Sequence, residues 1–114
     1  MSDARLPFQR LDVYCVAKEL AQRVQGAKIG DAELRDQATR AAKSAFLNLS
    51  EGLPSDAPGI RRTRFTTSNN SLHEVVAAVD LSASLGLMQA GDAEAVQALA
   101  LRFKRMLRAL LHAK

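Results

Sequence analysis

Apolar residues recur along this chain at helical spacing in four blocks, and short runs of Gly, Pro and Asp separate the blocks. In the first, Val13, Ala17, Leu20 and Val24 form a stripe that Tyr14 and Ala21 widen, predicting a helix from about Leu11 to Gln25. Gly26 follows it as a residue suited to a left-handed helix end. Asp31 is a good N-cap for the second helix, whose stripe is Leu34, Ala38, Ala41, Ala45 and Leu49, flanked by Phe46. That helix runs to about Ser50 and stops at Gly52.

The segment Leu53 to Gly59 reads as the clearest loop, holding two of the three prolines. Ser55 or Asp56 is placed to cap the third helix, and Pro58 fits its first turn. This helix extends to about Leu87, with Phe65, Leu72, Val76, Val79 and Ala83 on one line. Gly91-Asp92 opens the fourth, where Val96, Leu99, Phe103, Met106, Leu107 and Leu110 form the strongest stripe. No stretch alternates as a strand would. The expected fold is all-α, an up-and-down antiparallel four-helix bundle, because helices joined by short loops pack as antiparallel neighbours. It occupies residues 1–114 as a single domain, after a short N-terminal tail of about residues 1–9.

Composition changes this picture little. Ala, Leu and Val dominate the apolar residues, and four Phe, one Tyr and no Trp leave the chain poor in aromatics. One cysteine, Cys15, excludes an intramolecular disulfide and points to a reducing compartment. The opening residues lack a signal-peptide pattern, and no apolar run is long enough for a membrane span. The expected setting is the cytoplasm, with no membrane association.

Charge adds more. The net charge of +4 suggests acidic partners without the dense basic composition of an obligate nucleic-acid protein. Arg61, Arg62 and Arg64 crowd the start of the third helix, where they oppose its dipole. A compensating partner is therefore expected: Asp56, a neighbouring subunit or a phosphate. Lys104, Arg105 and Arg108 lie on the fourth helix away from its core stripe. These six are the candidate nucleic-acid contacts, since cations at such spacing can track phosphates. A solvated charged face explains the same pattern without a ligand.

On the second helix, Gln37, Arg40, Ser44, Asn48 and Glu51 form a polar stripe, and Arg64, Ser68, Ser71, Ala78 and Ser82, interrupted by Val75, form a matching line of small or polar residues on the third. Arg40, Ser44, Asn48, Glu51 and Ser71 read as a structural polar network fixing helix register, with a polar pocket as the alternative. Some apolar residues face away from the expected core: Leu81, Leu85 and Met88 on the third helix, Leu47 on the second and Leu101 on the fourth. A helix apolar on two faces needs cover on both. These five are the candidate interface of a homo-oligomer.

Catalytic signals are weak. His73 and His112 belong to no metal-ligand spacing, and His73 beside Glu74 reads as a surface pair. Cys15 has no histidine near it in sequence. There is no phosphate-cradling glycine loop. The expectation is a protein without enzymatic activity, metal or cofactor.

Phe8, Leu11, Val13 and Tyr14, the run Gln37, Arg40, Ala41, Ala42, Ser44, Asn48, Leu49, Ser50, Glu51 and Gly52, and then Phe65, Ser71, Leu72 and Glu74 carry a family resemblance. In these residues the chain resembles the bacterial 23S rRNA intervening-sequence proteins, from Phe8 to about Leu111. The accessory variability determinants of diversity-generating retroelements are similar in fold. The resemblance implies an up-and-down bundle assembling into a ring-like pentamer. From the retroelement proteins it also implies a basic surface for RNA or DNA and a reverse transcriptase partner. A purely structural or scaffolding oligomer, with no nucleic-acid role, is the alternative.

Overall fold

The computed structural model describes residues 4–113. A short 3₁₀ turn, Pro7–Arg10, leads into four helices: α1 (Asp12–Gly26), α2 (Ala32–Gly52), α3 (Pro58–Ser84) and α4 (Ala90–Leu111). No strand occurs among the described residues. Neighbouring helices pack in chain order, and α1 closes the ring against α4. Cross-helix contacts fix their directions. Ser44 meets Ser71 while Asn48, further along α2, meets Arg64, nearer the start of α3. Lys104 likewise meets Asn69, and Leu111 meets Arg62, so α3 runs antiparallel to both neighbours.

The core is built from one side of each helix. Leu20, Leu49, Phe65, Leu72, Phe103 and Leu107 are its largest fully buried members. The α2–α3 pair packs most extensively, because small residues line its seam. Ala38, Ala41 and Ala45 of α2 and Ser68, Ser71 and Ser82 of α3 are all buried. Ser68 donates to the Ala45 carbonyl across the seam at 2.6 Å, and Ser82 donates to the Ala78 carbonyl within its own helix at 2.6 Å. Each buried hydroxyl is therefore satisfied, which removes most of the cost of placing it there.

The helix ends show which local signals decide. Asp31 caps α2, its carboxylate accepting from the Leu34 amide at 2.9 Å. Neither Ser55 nor Asp56 caps α3: its N-cap is Ala57, without a side-chain cap bond, and Ser55 Oγ accepts from the Ala57 amide at 3.3 Å instead. Pro58 occupies the first turn, where its missing N–H costs nothing. Gly26 does not adopt the left-handed conformation. Among the described residues that role falls to Gly86, at φ 73°.

α3 ends at Ser84, three residues before the expected Leu87, and Gly86 terminates it. The Leu87 amide donates to the Ser82 carbonyl at 2.9 Å and the Gly86 amide to the Ala83 carbonyl at 3.1 Å, the paired bonds of a Schellman end. The chain then turns inward, and Met88 is buried in the core at 6% exposure. Met88 therefore leaves the set of outward-facing apolar residues expected at an interface: it lies beyond the helix end, where helical spacing no longer sets its direction. The turn is tied to the α1–α2 loop by the Gly30 amide, which donates to the Leu87 carbonyl at 2.8 Å.

Candidate nucleic-acid interface

At the start of α3 three guanidinium groups sit within two turns. Each has an intramolecular partner. Arg61 Nη1 donates to the carbonyls of Gly52 at 3.1 Å and Leu53 at 2.7 Å, while its Cζ stands 4.8 Å from the centre of the Phe65 ring. Arg62 Nη1 donates to the Leu111 carbonyl at 3.1 Å. These acceptors belong to the C-terminal ends of α2 and α4, where backbone carbonyls have no intrahelical donor and the dipole is negative. In an up-and-down bundle the N-terminus of α3 lies beside just those two ends. The arginines that oppose their own helix thus complement its neighbours. That is the compensating partner the sequence calls for, and it comes from the chain itself.

Arg64 belongs to the polar network. Its Nη1 donates to Asn48 Oδ1 at 3.2 Å and pairs with Glu51 Oε2 at 2.9 Å. Asn48 Nδ2 in turn donates to the Ser44 carbonyl at 2.9 Å and contacts Ser44 Oγ at 3.3 Å. Ser44 Oγ shares a hydrogen bond of 2.7 Å with Ser71 Oγ. The network therefore joins Ser44, Asn48, Glu51 and Ser71 through Arg64. Arg40 is not part of it: the residue is exposed and has no partner among the described residues. Sharing a stripe with Ser44 one turn on therefore does not bring it into the network.

The fourth helix divides its cations differently. Lys104 is half-buried, with Nζ 2.7 Å from His73 Nε2 and 3.3 Å from Asn69 Oδ1, so it bridges α4 to α3. A charged ammonium has donors only, which requires Nε2 to accept and puts the proton of a neutral ring on Nδ1. The sequence gives His73 and Asn69 no such role. Their i, i+4 spacing on α3 is the signal for a shared face. Arg105 and Arg108 are exposed and, among the described residues, unpartnered.

Beside Lys104 the α3–α4 seam opens into a groove of about 570 Å³, whose lining is largely apolar. Of the expected interface leucines, Leu47, Leu81, Leu85 and Leu101 are all exposed, and Leu101 borders this groove. Cys15 is an exposed free thiol on α1. His112 follows the last turn of α4, well separated along the seam from His73 in mid-α3. No cluster of three metal-ligating side chains occurs among the described residues, and no described helix is long and apolar enough to cross a membrane.

A family model described as 23S rRNA-intervening sequence protein matches residues 9–109, which takes in α1 to α3 and all but the last two residues of α4. The chain belongs to this family. Comparison with curated proteins gives no match. In this family member, the segment from Ser44 to Gly52 serves both the α2–α3 polar network and the α2 end that receives Arg61. Its sequence signature therefore marks a structural junction.

Proposed function

We propose that this 23S rRNA-intervening sequence protein is a non-enzymatic, cytoplasmic homo-oligomer that binds RNA or DNA, or a nucleic-acid enzyme such as a reverse transcriptase, through a basic surface on α4. One observation carries the reading. Among the six cations expected to contact phosphate, Arg105 and Arg108 alone are exposed without an intramolecular partner among the described residues. Unpaired guanidinium groups one turn apart suit phosphate contacts, since no existing bond must be broken. The family's description associates its members with 23S rRNA, which makes RNA the first probe.

Support for assembly comes from Leu47 and Leu81, on helices whose other face already fills the core, and from Leu85 at the C-cap of α3, which stay between 47 and 58% exposed. A ring such as a pentamer would cover such residues by repeating one heterologous contact. The same leucines favour the second reading, a purely structural oligomer. Binding of short RNA and DNA at two salt concentrations tests the proposal. A dissociation constant that rises steeply with salt supports nucleic-acid binding. No binding, or none that responds to salt, removes direct nucleic-acid binding and leaves a protein partner or the structural reading, and a monomer by light scattering removes the structural reading as well.

A further inference from the structure

The groove between α3 and α4 has a floor, a rim and two unlike ends. Leu72 and Ala100 are buried at its base, while Ala77, Ala98 and Leu101 stand exposed along its edges. It is open because Ala77 and Ala98 are small, where larger residues would close the seam. At one end stand Lys104 and His73. Arg105 and Arg108 continue from there along α4, with Arg108 one turn beyond Lys104, about 6 Å along the axis. Gln97 lies towards the other end, two turns before Lys104.

We infer that this groove receives one unstacked base of a single-stranded RNA or DNA whose phosphates lie on Arg105 and Arg108. The inference rests on the nucleic-acid reading above and says which form of nucleic acid the surface selects. A base has two apolar faces and a polar edge, and the groove offers the matching surfaces. Leu72, Ala77, Ala98 and Leu101 supply apolar contact. The His73 imidazole is a ring against which a base can stack, and the Gln97 amide can donate to or accept from the base edge. Two of the three Lys104 donors are taken by Asn69 and His73, leaving one for a ligand oxygen.

Charge complementarity decides the occupant. The cations continue past one end of the groove on the same helix, as a nucleotide's phosphate continues from its base. A ligand of hydrocarbon alone would leave that end unmatched. Duplex keeps its bases stacked and paired, so it can reach the arginines but cannot fill the groove.

The test uses a labelled mixed-sequence RNA strand, the DNA strand of the same sequence, a duplex, and a DNA strand carrying abasic sites. Anisotropy gives the affinity of each for the full chain and for Ala77→Leu and Ala98→Leu. Both substitutions fill the groove from exposed helix positions without altering charge. The expected result is single-strand binding about tenfold tighter than duplex, falling by about tenfold in either variant and on the abasic strand, with duplex binding unchanged. RNA and DNA are separated by which strand binds more tightly. Equal binding of duplex and single strand, or indifference to both groove filling and base removal, overturns this inference while leaving the arginine surface intact. Absence of binding by every probe overturns the nucleic-acid reading itself. The abasic strand keeps the test decisive should a variant fold poorly.

Discussion

Gly52 and Phe65 approach so closely that no side chain fits between them. A Cβ built on Gly52 would stand 2.7 Å from Phe65 Cε1 and 2.9 Å from Cδ1, with Arg64 Cβ at 3.1 Å. The ring cannot easily retreat, since Phe65 is 1% exposed and the Arg61 guanidinium lies 4.8 Å from its centre. Gly52 is kept here by space, because its φ is not left-handed.

Gly52→Ala is accordingly expected to destabilise the fold by about 1–3 kcal/mol, the cost of overpacking a filled core. Helix propensity alone predicts the opposite sign, since Ala is preferred to Gly by roughly 1 kcal/mol in a helix. Urea denaturation followed by circular dichroism separates the two. A stability equal to or above that of the parent would show that the seam opens freely at this point.

Arg61 and Arg62 should differ in weight. The first makes two bonds to carbonyls at the end of α2 and stacks near a buried ring, while the second makes one bond from an exposed position. Arg61→Gln is expected to cost about 1.5–3 kcal/mol, in the range of charged hydrogen bonds. Arg62→Gln should cost about 1 kcal/mol or less, because water replaces an exposed bond cheaply. Comparable losses from the two, measured in the same denaturation, would contradict the assignment.

Ser44 and Ser71 share one hydrogen bond across the α2–α3 seam, with Ser71 buried. Ser44→Ala leaves the Ser71 hydroxyl short of a partner and is expected to destabilise by about 1 kcal/mol. The double variant should cost less than the two single costs added together, with a coupling of about 0.5–1 kcal/mol in a double-mutant cycle. Strict additivity would mean that the contact contributes nothing to stability.

How much of this could be read from the sequence depends on the helix. In α1, α2 and α4 the core residues are apolar and the period is clear, so their existence and approximate extent are legible. The pattern blurs in α3, because its buried face includes Ser68, Ser71 and Ser82 while Leu81 and Leu85 are exposed. Hydroxyls that find carbonyls or each other can be buried, and hydropathy does not register the partner. Where α3 ends is set by the Gly86 conformation, which no periodicity encodes. The arginine cluster was visible as a cost in helix-dipole terms, but its remedy lies in the ends of α2 and α4, residues distant in sequence. The groove was invisible for a related reason: Ala77 and Ala98 declare themselves only when the two helices are set side by side.

The partition of the cations supplies the last prediction. If Arg105 and Arg108 contact phosphate, replacing both by Gln should weaken binding of every nucleic-acid probe. Each lost phosphate contact should also lower the slope of log affinity against log salt by about 1. Arg64→Gln should leave that slope unchanged, because Arg64 is already paired with Glu51 and Asn48. Its effect belongs in the denaturation midpoint, as a small loss through the half-exposed ion pair. Measuring affinity across a salt series, with stability followed in parallel, reads both quantities on the same variants. The division fails if Arg64→Gln lowers the salt slope as much as Arg105→Gln does: that result would mean the α2–α3 network opens to bind phosphate, and would move the interface from α4 to the seam beside Glu51.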